Sequence, residues 1–102
     1  MSERRIELQS LLEEILGSRN VYFQPPSSIA LKYPCIVYER EDENVKHADD
    51  STYSRIKLYT VTVIDKDPDS EIPDKISDLP LCTFQRHFTS ENLNHDVYRL
   101  YF

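Results

Sequence analysis

Apolar residues near the start of the chain recur every three or four positions, and Gly17 ends the run. They are Ile6, Leu8, Leu11, Leu12, Ile15 and Leu16. This is the spacing of one face of an amphipathic α-helix, and a glycine after the last apolar turn is a typical stop signal. The pattern therefore predicts a helix over residues 3–16, with an apolar stripe that needs a sheet or another helix to cover it.

Later segments show the alternation of apolar and polar residues that is typical of β-strands. Tyr53 to Asp65 is the clearest, and Cys35 to Glu41 is apolar on both faces, which predicts an interior strand. Both should pair through the polar segment between them. A short strand at 20–23 and two strands at 81–88 and 96–102 complete the prediction, with the last two joined by turn residues 89–94.

A second, shorter helix is predicted after the acidic turn that follows Asp65. Ser70 or Asp69 can cap it, Pro73 lies in its tolerated first turn, and Pro80 ends it. The element order predicts one α+β domain over residues 1–102, with two helices packed on one face of a mostly antiparallel four- to five-stranded sheet.

Composition narrows the functional classes. The chain has 102 residues, which suffices for one domain with its own core. A single glycine is too few for the loops that cradle phosphates or dinucleotides. Twelve basic against eighteen acidic residues give a net charge of −6, which disfavours nucleic acid as a direct partner. No apolar run reaches membrane-spanning length, and the N-terminus is charged rather than signal-like.

The acidic turn permits a metal-site interpretation that its spacing does not favour. Asp65, Asp67 and Asp69 alternate like the start of an EF-hand, but Ser70 and Ile76 stand where the turn glycine and the final bidentate glutamate belong. The same three carboxylates could in principle serve a metal-dependent nuclease, but the acidic balance and the lack of a basic patch for phosphate count against it. We expect them to form the turn and cap the helix, and we expect no metal, no cofactor and no enzymatic activity.

Other chemistry-bearing residues are few. His87 and His95 flank one predicted hairpin and could supply two ligands of a zinc site, which normally needs four. Cys35 and Cys82 are far apart in sequence and form no C-x-x-C pair, so we expect free thiols, with a long-range disulfide as the alternative.

The polar segment from Glu41 to Ser51 is the candidate interaction site. It is too long for a simple hairpin loop, and long connections are usually either solvated or functional. The candidate contact residues for a partner or a neighbouring subunit are Glu41, Asp42, Glu43, Asn44, Lys46, His47, Asp49 and Asp50.

Three stretches together resemble the tail terminator, or tail completion, proteins of long-tailed bacteriophages and prophages. They are NVYFQPPSSIALKYPCIVYE at 20–39, YTVTVIDKDPDSEIPDKI at 59–76 and LCTFQRHFTSENLNHDVYRLYF at 81–102. The resemblance rests on overall pattern rather than on a chemical signature. It implies an α/β domain with helices packed on a sheet that assembles as a ring, expected to be a hexamer, on the end of the tail tube.

The resemblance also implies the partners and the place of action. The ring would stop polymerisation of the tube protein and present a surface to the head-connector or head-completion protein, in the virion neck and, during assembly, in the host cytoplasm. Nucleic acid would only pass through the ring, and no membrane is involved. Two alternatives stay open at this point: a head-side neck protein, such as a head-closure or connector adaptor, and a small acidic inhibitor or binding protein.

Overall fold

The chain forms two helices and five strands. The computed structural model describes residues 3–41 and 56–102. The elements are α1 (Glu3–Leu16), β1 (Val21–Phe23), β2 (Cys35–Arg40), β3 (Leu58–Asp65), α2 (Ile72–Ser77), β4 (Cys82–Ser90) and β5 (Leu93–Tyr101). The α+β prediction is confirmed. Within the described ranges, no helix is both long enough and apolar enough to cross a bilayer.

All five strands belong to one sheet, in the order β1-β2-β3-β5-β4. β1 runs parallel to β2, and every other neighbouring pair is antiparallel. The predicted pairing of β2 with β3 is confirmed, as is the interior position of β2. Because β5 inserts between β3 and β4, the last strand is interior and β4 lies at the edge of the sheet.

Both helices cover the same face of the sheet. Leu8 and Leu12 of α1 and Ile76 of α2 are fully buried in one cluster with side chains from β1, β2, β3 and β5. The strand members of that cluster are Val21, Ile36, Tyr38, Tyr59, Val61, Val63, Tyr98 and Leu100. Paired residues such as Tyr38, Val61 and Tyr98 point to one side of the sheet, so this side is the main core.

Helix α1 has the predicted bounds but a narrower buried stripe than predicted. Gly17 follows it with a φ of +83°, a left-handed conformation that glycine adopts without strain, and its N–H bonds the carbonyl of Glu13 at 2.8 Å. Ile6 is 47% exposed although its spacing places it with the apolar residues. Only Leu8 and Leu12 are fully buried, and Ile15 and Leu16 pack against the same cluster while remaining partly exposed.

Two predicted boundaries around the acidic turn are wrong. β3 begins at Leu58 rather than Tyr53, since Ile56 and Lys57 lie outside the strand and residues 53–55 lie outside the described range. The N-cap of α2 is Glu71, which makes no side-chain capping bond, although the Ser70 hydroxyl accepts the N–H of Ile72 at 3.2 Å. α2 ends at Ser77, ahead of Pro80.

The final hairpin is tighter than predicted. Only Glu91 and Asn92 form its turn, with φ of 54° and 64°, and the strands continue to Ser90 and from Leu93. Two left-handed residues are what a two-residue hairpin turn requires, because their twist matches that of the strands. The polar residues predicted as a loop therefore extend both strands.

Candidate interaction surface

The face of the sheet without helices forms an open groove of about 440 Å³. Its floor comes from β2, β3 and β5. One wall is the segment after β1, and the other belongs to β4 and β5. The lining residues of the first wall are Pro25, Pro26, Ser27, Ile29 and Leu31; those of the floor are Val37, Glu39, Thr60, Thr62, Ile64 and Val97; those of the second wall are Arg86, Phe88 and His95.

The second wall of this groove is held in place by stacked side chains. Phe88 stacks on His95, its direct partner across the hairpin, with ring centroids 4.5 Å apart and planes 14° from parallel. The guanidinium of Arg86 lies 4.9 Å from the Phe88 ring centroid. His95 Nδ1 is 3.1 Å from the Leu93 carbonyl oxygen, which fixes the ring. This wall therefore presents the Arg86 guanidinium and the Phe88 ring to the groove in a fixed arrangement.

The two edges of the sheet are unlike each other. β1 has three residues, is followed by Pro25 and Pro26, and has the carbonyl of Val21 bonded by Gln9 Nε2 at 3.1 Å. β4 has nine residues, of which all after Cys82 are exposed. Phe84 is 52% exposed and Leu81, just before the strand, is 63% exposed. The first edge is short and covered, and the second is long and open.

Glu41 is the one candidate contact residue inside the described ranges. Its carboxylate accepts a hydrogen bond from the Thr60 hydroxyl and pairs with Arg99 Nη2 at 2.9 Å. These contacts, the Thr60 bond foremost, lower the pKa of Glu41 below its ordinary value of 4.5. Asp42, Glu43, Asn44, Lys46, His47, Asp49 and Asp50 lie outside the described residues. Their role at an interface stays a prediction.

Two of the three aspartates in the acidic turn accept hydrogen bonds from the backbone two residues further on. Asp65 Oδ1 accepts the N–H of Asp67 at 3.0 Å, and Asp67 Oδ1 accepts the N–H of Asp69 at 2.9 Å. Each is an Asx turn, in which a carboxylate replaces a backbone carbonyl. The prediction that these acids form the turn is confirmed for Asp65 and Asp67, whereas Asp69 does not cap α2, whose N-cap is Glu71. Among residues 3–41 and 56–102, no group of three His, Cys, Asp or Glu side chains is placed to hold a metal ion.

His87 and His95 do not face each other. His87 pairs with Asp96 and His95 pairs with Phe88 across the hairpin. Since successive residues point to opposite faces, His87 lies on the helix side of the sheet and His95 lies in the groove. His87 Nε2 lies 3.4 Å from Asn94 Oδ1. The two imidazoles therefore cannot share one metal ion.

Both cysteines are free, as predicted. Cys35 is fully buried in a small cluster with Ile64 and Leu93 on the groove side, and burial raises its pKa to about 11. Cys82 starts β4 on the helix side, and burial raises its pKa too. They lie at opposite ends and on opposite faces of strands that are not neighbours. An intramolecular disulfide is excluded because its Cα atoms must lie within about 7 Å.

Sequence reasoning found neither the groove nor the β4 edge as a specific surface. The signal for β4 is the run from Leu79 to Ser90, which combines two phenylalanines, Arg86 and His87 with no acidic residue in an otherwise acidic chain. Comparison with protein-family models, with curated proteins and with solved structures found no match.

Proposed function

We propose that this chain is a structural protein of the phage neck that caps the tail tube as a ring, ends tube polymerisation and provides the surface for head attachment. The observation that supports this proposal most is that the two edges of the sheet differ in length and exposure. A closed ring needs a heterologous contact, in which each subunit presents two different surfaces to its two neighbours. The short covered edge at β1 and the long open edge at β4 are two such surfaces.

The sequence pattern adds independent support. The three stretches that resemble tail terminators cover β1 and β2, then β3 and α2, then β4 and β5. They account for the sheet and one helix, so the resemblance concerns the framework of the fold rather than a local motif. The proposed ring is a hexamer, with the tube protein on one side and the head-connector protein on the other.

The acidic segment from Glu41 to Ser51 is proposed to contact a neighbouring subunit or the tube. It leaves the sheet at Glu41, where Thr60 and Arg99 hold the carboxylate, so its starting point is fixed on the groove side. Acidic side chains favour a basic patch on the partner, and such a contact weakens as salt screens it. Deleting Asp42 to Asp50 should reduce assembly.

Co-assembly in vitro tests the proposal. Tube protein from the phage or prophage that encodes this chain is allowed to polymerise with and without the purified chain, and tube lengths are measured by electron microscopy. We expect shorter tubes with added density at one end, and a loss of this effect at high salt and in the deletion variant. Unchanged tubes together with binding to the connector would indicate a head-side neck protein. A monomer that binds neither protein would favour the acidic binding protein.

A further inference from the structure

The outer edge of β4 offers backbone groups to another strand. A two-residue turn closes on the hydrogen-bonded pair Ser90 and Leu93, and bonded pairs recur at every second residue, at Phe88–His95 and Arg86–Val97. The N–H and C=O of His87 and Thr89 consequently point away from β5. Among the described residues, no backbone hydrogen bond joins these groups to another element.

β4 lacks most of the features that keep natural sheet edges from pairing. Proline, lysine, short length and bulges are the usual protection. β4 contains no proline or lysine and has nine residues, about 30 Å of extended chain, with one irregularity between Phe84 and Arg86. From Arg86 to Ser90 the register is regular. Exposed Phe84 and Phe88 add apolar area on either side of the strand.

The charge distribution along β4 favours an acidic partner strand. The chain carries a net charge of −6, yet no acidic residue lies between Leu79 and Ser90, where Arg86 and His87 are. Pairing β4 with the β4 of a second copy would bring the Arg86 side chains of both copies close together, and like charges on adjacent strands are destabilising. An incoming strand with carboxylates would instead meet Arg86 on the groove side and His87 on the helix side.

We propose that the β4 edge is a docking site for an extended acidic segment of a partner protein, which adds as a sixth strand beside Arg86–Ser90. Backbone hydrogen bonds hold the added strand, its carboxylates on the groove side pair with Arg86, and its alternate apolar side chains on the helix side contact Phe84. This is strand addition to an exposed edge, with side chains setting the preference. The site does not depend on ring formation, and its test uses the isolated chain.

Fluorescence anisotropy with synthetic peptides tests the site on the full chain. The probe is a labelled, capped peptide of about seven residues that alternates valine with glutamate, and the comparison peptide carries lysine in place of glutamate. We expect saturable binding of the glutamate peptide, about tenfold tighter than the lysine peptide at low salt. A glutamate peptide with methylated backbone amides should not bind, because it cannot pair with the edge.

Variants of β4 locate the binding site. His87→Pro removes an outward N–H without removing a bond to β5, and it should weaken binding about tenfold relative to His87→Ala, which keeps that N–H. Arg86→Glu should abolish the preference for glutamate, whereas Arg19→Glu, the same charge change at an exposed residue outside the edge, should not. Circular dichroism verifies folding, and the methylated peptide serves as the test if His87→Pro does not fold.

Three results would overturn the proposal: no binding of the glutamate peptide up to about 1 mM, equal affinity for both peptides, or equal binding by the His87→Pro and His87→Ala variants. Self-association that His87→Pro abolishes, without peptide binding, would show instead that β4 pairs with a second copy. Tube capping can succeed or fail independently of all these outcomes.

Discussion

The hydroxyl of Tyr38 donates a hydrogen bond to Oε1 of Gln9 at 2.6 Å and so joins the interior strand β2 to helix α1. Arg5 Nη1 donates to the same hydroxyl at 3.2 Å, and Gln9 Nε2 donates to the carbonyl of Val21 at 3.1 Å. One buried tyrosine thus connects α1, β1 and β2 through a continuous set of hydrogen bonds. The Tyr38 ring also lies 4.9 Å from that of Phe23.

Removing the Tyr38 hydroxyl should destabilise the protein. Tyr38→Phe leaves Oε1 of Gln9 without the hydroxyl that donates to it, which should lower the free energy of unfolding by about 1–2 kcal/mol. Tyr22→Phe is the matched control, because the Tyr22 hydroxyl only accepts the N–H of Lys32 at 3.4 Å in an exposed position, and it should change stability by less than about 0.5 kcal/mol. Urea denaturation measures both, and equal losses would contradict the network.

The pH dependence of stability should report the contacts of Glu41. Its pKa is lowered in the folded state, so the ionised carboxylate stabilises the fold above 4.5 and this contribution disappears as pH falls through the folded pKa. Thr60→Val removes the main cause and should destabilise the protein by a few tenths to about 1 kcal/mol at neutral pH, and this loss should shrink as pH falls through the folded pKa of Glu41. Thr62→Val on the same face is the control, and a pH-independent effect of Thr60→Val would contradict this account.

The ionised carboxylate of Asp96 should destabilise the fold, which is the opposite of the effect of Glu41. Burial raises its pKa above 3.8, although His87 and His95 oppose the shift. The unfolded chain gives up this proton more readily, so raising the pH above 3.8 favours unfolding. Asp96→Asn should therefore increase the free energy of unfolding at neutral pH, and the gain should vanish below 3.8. A loss of stability at neutral pH would show that the charge is stabilised by its histidine neighbours.

Alkylation should distinguish the two cysteines. With a pKa of about 11 and a fully buried side chain, Cys35 is about 0.1% thiolate at pH 8 and should react with iodoacetamide only when the chain unfolds. Cys82 is half-buried and should react first. Mass spectrometry of native and urea-treated protein measures the order, with Cys82→Ser isolating Cys35. Rapid labelling of native Cys35 would contradict its burial.

Regular hydrophobic spacing made much of the fold predictable. Helix α1 and strands β2 and β3 carry clear periodicity because each buries one or both faces, and the structure has them near the predicted positions. The bounds of the β4–β5 hairpin were harder to predict. β4 is exposed and shows no alternation of buried and exposed residues, and the position of the turn depends on the backbone conformation of Glu91 and Asn92.

Strand order explains why the candidate surface could not be located in advance. Sequence adjacency suggests that the last strand is an edge, whereas β5 pairs with both β3 and β4 and leaves β4 outside. The groove likewise depends on Pro25 and Phe88, which are far apart in sequence and line opposite walls only because of this strand order. The predicted site from Glu41 to Ser51 was read from its charge and length, properties that indicate exposure but not a binding partner.

Tail length in the absence of this chain is the most direct test of the proposed function. The coding sequence is deleted from the genome that carries it, and any tailed particles are measured by electron microscopy with and without expression of the protein in trans. The ring proposal predicts abnormally long tails without heads, restored to normal length by the protein. Tails of normal length beside filled heads would contradict termination.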